Sequence, residues 1–190
     1  MSGDVHVRFC ESLRVRFLWA THLVLLCHSE AAAQRALALV QQWTVEAGLT
    51  LHPEKTRIVD ATQPGGFDFL GYHFERGLRW PRRKSLKKLK DTVRAKTRRT
   101  TGQSLQVIIA NVSRTTEGWF GYFKHSNKHT FPPLDSWLRM RLRSLLRRRS
   151  GRRGRGRGYD QHRWPNAFFA AEGLFSFVAA HAQLRQSLTG

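Results

Sequence analysis

The sequence predicts an α+β chain in which a part built from β-hairpins and one helix gives way to an all-helical part. Three observations carry this. Short β-branched and aromatic runs broken by turn residues fill the chain up to Trp80-Pro81. From Ser85 onward, long stretches place apolar residues three and four apart, the signature of helices with one buried face. A Gly/Arg run, SGRRGRGRG from Ser150 to Gly158, then interrupts the helical half.

Taken in order, Arg14–Phe17 and Leu23–Cys27 read as the strands of a hairpin with Trp19–His22 near its turn. Ser29 is an N-cap for a helix over Glu30 to Ala47, with Ala33, Leu37, Val40 and Thr44 on one face and Gly48 as its stop. A strand is expected around Thr56 to Asp60, and Gln63-Pro64-Gly65-Gly66 is a turn. Phe67–Phe69 and His73–Phe74 form a second hairpin pivoting at Gly71. Ser85 opens a helix striped by Leu86, Leu89, Val93 and Lys96, which Thr101-Gly102 breaks. Ser104 opens a longer one through Ile108, Ile109, Val112, Thr116, Trp119, Phe120 and Phe123. Phe131-Pro132-Pro133 launches a third with Leu134, Trp137, Leu138, Leu142 and Leu145 on its apolar side. These three helices are expected to share a core. The Gly/Arg run is too charged and flexible to fold alone. Pro165 suits the first turn of a short helix ending at Gly173, and Ser176 caps a last one through Phe177, Val178, His181 and Leu184.

Charge is the outlying property. Thirty-three Lys+Arg against 13 Asp+Glu give +20 over 190 residues, far more than solubility requires, and favour a polyanionic partner. No apolar run approaches the roughly 20 residues of a spanning helix, so no membrane association is expected. Cys10 and Cys27 lack CxxC spacing and the nine His do not recur at metal-ligand intervals. With no visible signal peptide, this suits a cytoplasmic protein.

Specific segments go further. GLTLHPEKTRIVDATQPGGFDFLGY, from Gly48 to Tyr72, resembles the late palm of group II intron reverse transcriptases, where a lysine-bearing turn precedes a primer-gripping hairpin. RWPRRKSLKKLKD, TRRTTGQSLQVIIANV, GWFGYFKHS and LDSWLRMRLRSLLRRR resemble the thumb and maturase-specific domain that follow the palm in that family. The resemblance implies four parts: a partial palm at 1–80, a helical thumb/maturase-specific domain at 81–149, a basic linker at 150–163 and a helical extension at 164–190. It runs from about Leu13 to the C-terminus.

Family members use Mg²⁺ held by paired aspartates in a Tyr-Ala-Asp-Asp turn. The aligned turn here is Trp19-Ala20-Thr21-His22. A neutral Thr and an imidazole are poor ligands for a hard cation, and the upstream palm strand and fingers are not seen before Leu13. The expectation is therefore no catalytic residue, no metal and no cofactor, in a truncated and catalytically degenerate relative. The resemblance gives Phe69, Leu70, Gly71 and Tyr72 as a primer-grip-like hairpin. It also places Lys55 near an incoming triphosphate in active relatives; without metal ligands, an RNA contact is the expectation here.

The cations expected to meet RNA phosphates are Lys55, Arg82, Arg83, Lys84, Lys87, Lys88, Lys90, Arg94, Arg98, Arg99, Arg139, Arg143, Arg147, Arg148 and Arg149, with Arg152, Arg153, Arg155 and Arg157 of the Gly/Arg run. Trp119, Phe120, Tyr122 and Phe123 are expected mainly to build the core. The implied function is binding of structured RNA, in particular group II intron RNA, to assist splicing without polymerisation. Two alternatives stand beside it: one subunit of a split polymerase, completed by a chain bearing palm and fingers, or a decayed gene product with no selected role.

Overall fold

The computed structural model describes residues 24–53, 55–156 and 158–189. The chain divides into two compact units, Met1–Leu51 and His52–Gly190. The expected turn Trp19–His22 and the strand Arg14–Phe17 lie outside the described residues. Residues 24–27, expected to be the second strand of that hairpin, are irregular, with Leu25 and Leu26 exposed.

In the first unit, helix α1 spans Glu30–Glu46. Ser29 caps it by accepting from the Ala32 N–H at 3.2 Å. At its end the Gly48 and Leu49 N–H groups donate to the carbonyls of Val45 and Thr44, the Schellman closure. Ala33, Leu37 and Val40 are half-buried and Thr44 is buried, so the expected face is the one that packs.

The second unit begins with irregular chain. No strand forms over 56–60. The Lys55 and Thr56 N–H groups turn back to the His52 carbonyl, and the Asp60 carboxylate accepts from the Thr62 N–H and hydroxyl. Local side-chain bonding of this kind competes with a ladder, and it holds the Asp60 carboxyl below its usual range.

Strands β1 (Phe67–Phe69), β2 (Tyr72–Glu75) and β3 (Leu78–Pro81) then form an antiparallel sheet in the order β1-β2-β3. Phe69 pairs with Tyr72 and Glu75 with Leu78, leaving two-residue turns at Leu70-Gly71 and Arg76-Gly77. All four turn residues have positive φ, 45° and 81° in the first turn, 51° and 71° in the second. A tight hairpin turn matching strand twist needs that conformation, which glycine adopts without strain. The third strand was not expected. Gly77 was its signal, and Pro81 is tolerated because β3 is an edge.

Helices α2 (Arg83–Lys96), α3 (Leu105–Phe123) and α4 (Phe131–Arg149) follow. Helix α2 starts two residues before Ser85, whose hydroxyl donates instead to the Gly71 carbonyl at 3.1 Å. Ser104 caps α3 through the Val107 N–H. Short helices α5 (Tyr159–Arg163) and α6 (Asn166–Ala171) lead to α7 (Phe177–Thr189). Helix α5 was not expected, and Pro165 occupies the cap of α6 rather than its first turn.

One core joins these helices. Leu89 and Val93 of α2 meet Ile108, Ile109, Val112 and Phe120 of α3, Leu134, Leu138, Leu142 and Leu145 of α4, then Phe169 and Phe177. Val93, Leu142, Leu145 and Phe177 are fully buried, each stabilising the fold by about 1.5–3 kcal/mol. Buried Thr97, Thr116 and Ser144 satisfy their hydroxyls on carbonyls one turn back. Because α6 and α7 cover the side of α4 that α2 and α3 leave open, α4 is the central helix. The three-helix expectation left that side to solvent.

Candidate nucleic-acid interface

Helix α2 shows how the cations are set out. Leu86, Leu89 and Val93 bind it to the core, and a helix places residues at i, i+3 and i+4 on one face. Lys84, Lys87 and Lys88 therefore point the other way, and with Arg83 they are exposed. None of these four pairs with a carboxylate among the described residues. Half-buried Lys90 and exposed Arg94 lie beside them, their charged groups over the Trp137 ring at 5.9 and 5.8 Å. Arg94 also reaches the Asp91 carboxylate at 2.7 Å. Arg98 and Arg99, just beyond the helix, are exposed, as is Lys55. Arg82 is half-buried, its Nε enclosed and without a partner among the described residues.

The arginines of α4 divide. Arg148 and Arg149 are exposed and Arg139 half-exposed; Arg149 also donates to the Gln103 carbonyl. Arg143 does not belong with them. It is 6% exposed, donates to the Trp164 carbonyl at 2.9 Å and the Asn166 amide oxygen at 2.8 Å, and lies over the Phe169 ring. Burial draws its pKa below the usual arginine value, as does nearby Arg139. Arg143 holds α6 against α4 and presents no open guanidinium to a ligand. Its position looked solvent-facing in the sequence because α6 was not counted as covering it.

Arg147 is half-buried and is likewise engaged, with the 1%-exposed Asp160 carboxylate at 2.8 Å and the Arg153 carbonyl at 2.7 Å. Those bonds tie down the Gly/Arg run, which packs as a strap on α4. The Gly156 N–H donates to the Ser144 hydroxyl at 2.9 Å. A Cβ at Gly156 would sit 2.4 Å from the Arg143 Cβ and 2.8 Å from the Ser144 nitrogen, so only glycine fits. Arg152, Arg153 and Arg155 project from the strap, exposed; Arg157 lies outside the described residues.

The β1–β2 hairpin, expected to be primer-grip-like, has its tip bonded to the helices. The Tyr122 hydroxyl donates to the Leu70 carbonyl and the Tyr72 hydroxyl to the Tyr122 carbonyl, both at 2.6 Å. The Gly71 carbonyl accepts from the Arg82 N–H at 2.9 Å as well as from Ser85. Burial raises the Tyr72 phenol above its usual pKa. Phe69 is half-buried and Leu70 is 66% exposed. Tyr122, expected in the core, is 54% exposed because its work is this latch. Trp119 packs on Phe123 and Phe177 at 4.5 and 5.6 Å, and Phe120 and Phe123 are buried.

Arg141 was missed by sequence reasoning. Its guanidinium donates to the carbonyl and hydroxyl of Thr97, each at 3.0 Å. The signal was available: Arg141 stands three residues after Leu138 and four before Leu145, a cation beside the apolar stripe. Among the described residues no cluster of three His, Cys, Asp or Glu could hold a metal ion, and no helix is long and apolar enough to cross a membrane.

These features define a class first: a cation-rich helical bundle on one apolar core, joined to a small antiparallel sheet. Residues 86–164 match the family described as "Group II intron, maturase-specific domain". The match runs from within α2 to the end of α5 and supports a maturase C-terminal region here, with a function related to group II intron maturases. No curated protein matches the chain.

Proposed function

We propose that this chain binds structured group II intron RNA and assists its splicing, without polymerising nucleotides itself. The observation that carries the reading is a coincidence of place. The segment matching the maturase-specific domain includes the outward cations Lys87 and Lys88 of α2 and Arg148 and Arg149 of α4, fixed to a common core. Charges held in register neutralise phosphates at set positions, and a folded RNA offers such a pattern where a flexible strand does not. The reading needs no protein-bound metal, since Thr21 and His22 stand where the family's carboxylates would be.

The test compares the purified chain on a folded group II intron RNA and on a length-matched unstructured RNA, with intron splicing followed at limiting Mg²⁺. Preference for the folded RNA and faster splicing are expected. Equal binding of both RNAs with no effect on splicing overturns the proposal. Primer extension on an RNA template, with Mg²⁺ or Mn²⁺, is expected to be absent; extension lost on substitution of Thr21 or His22 would refute the non-polymerase part.

A further inference from the structure

The loop after α2 borders an open cleft of about 410 Å³ whose lining includes Lys96, Arg98, Thr100, Thr101, Gln103 and Asn111. Two α4 arginines brace this loop from behind. Arg141 grips Thr97 through its carbonyl and hydroxyl, and Arg149 holds the Gln103 carbonyl. Positive charge crowds the neighbourhood. Burial, and after it the nearby charges of Arg99 and Arg94, draws the pKa of Arg141 below the usual arginine value. The ion pair found here among the described residues is Arg94 with Asp91. Cations gathered so closely around one carboxylate repel one another, and a bound anion would relieve that repulsion.

We propose that this cleft is a seat for RNA backbone phosphate, with Lys96 and Arg98 contacting it and Arg141 acting as a positioning residue that fixes the loop. The assignment rests on the RNA-binding function proposed above and names a place for it. The cleft suits a phosphodiester because two cations stand among side chains that can hydrogen-bond its oxygens or a ribose hydroxyl. The loop also has little freedom to retreat, since Thr97 is 1% exposed and its hydroxyl is bonded on to the Val93 carbonyl at 2.7 Å.

The experiment is phosphate-ethylation interference on folded group II intron RNA with the full chain. Four proteins are compared: wild type, Lys96→Gln with Arg98→Gln, the charge-matched control Lys84→Gln with Lys88→Gln, and Arg141→Lys. The cleft variant should bind about tenfold more weakly, with a salt slope smaller by about two. It should lose one group of interfering phosphates that the control retains. Arg141→Lys, which keeps the charge but not the planar fork, should lose the same group. If the cleft variant keeps the full wild-type pattern, or loses what the control loses, the seat is refuted. If Arg141→Lys melts earlier with an unchanged pattern, its positioning role is refuted. A wild-type chain that binds no RNA overturns the parent proposal itself, an outcome distinct from either.

Discussion

At Gly156 the backbone of the strap runs against the backbone of α4, with room for a hydrogen atom and nothing larger. Gly156→Ala must therefore push the strap away and break the bond to the Ser144 hydroxyl, a cost of about 1–3 kcal/mol. Limited trypsin digestion should show faster cleavage after Arg152, Arg153 and Arg155, while cleavage within α3 stays slow; unchanged strap cleavage would mean the close approach is not made. Asp135 offers a second test at this scale. It is 3% exposed, and from α4 it accepts the Ser176 hydroxyl at 2.7 Å and the N–H groups of Phe177 and Val178 at 2.9 and 3.2 Å. It caps a neighbouring helix across the core. Asp135→Ala leaves those donors without their charged acceptor, at about 2–3 kcal/mol. The melting temperature should fall by roughly 4–10 °C, and a loss within a degree would show that the cap is dispensable. Arg143 and Arg141 carry the same lesson: on an arginine-rich helix, sequence shows which residues are charged but not which are covered, because the covering residues lie tens of positions away.

Among the elements, those whose boundaries are set locally were legible. Helix α1 follows from Ser29 and Gly48, α3 from Ser104, and the β1–β2 hairpin from Gly71. Those set by tertiary partners were not. Ser85 looked like a helix cap, but the Gly71 carbonyl claims its hydroxyl; residues 56–60 alternate suitably for a strand but have no ladder to join. Helix α7 adds a pH-dependent element. His181 packs at 4.9 Å from the Phe131 ring, and burial, with Arg185 nearby, lowers its pKa below 6.5. The unfolded chain therefore takes up the proton first as pH falls. His181 favours the folded state above about pH 6.5, and that contribution is lost as pH drops through its lower folded value. Amide protection factors in α7, corrected for the intrinsic exchange rate, should fall as pH drops from roughly 7 to 5, and His181→Gln should flatten this response. An identical pH profile in the variant would place the titration elsewhere.

For the molecule as a whole, charge dictates how binding responds to salt. With +20 net charge and about six phosphate contacts, raising salt from 50 to 200 mM should weaken RNA binding roughly a thousandfold, because each contact releases condensed counterion. Fluorescence anisotropy across that range measures it, and an affinity indifferent to salt would exclude phosphate contacts as the main attraction. Replacing Arg152, Arg153 and Arg155 by Gln should lower the slope and weaken all RNAs alike if those side chains reach phosphates as mobile charges. The strap beneath them is fixed, so loss of selectivity in that variant would instead give it a share in recognition.

The central place of α4 also bears on how the chain matures during synthesis. Asp135 and Arg143 leave the ribosome well before the residues that engage them, which lie between Trp164 and Val178. Until α6 and α7 emerge, a nascent bundle holds an uncapped Asp135 carboxylate and an Arg143 guanidinium without its acceptors, so its last helix has every reason to stay open. Phe169 and Phe177, which close the core, both lie beyond the matched segment ending at 164. A fragment covering 81–164 should therefore populate a loosened state that binds a hydrophobic dye, whereas one extended to residue 189 should melt cooperatively. Residues 165–189 thus act as a late-arriving keystone, and only with them does the cationic face acquire a rigid backing.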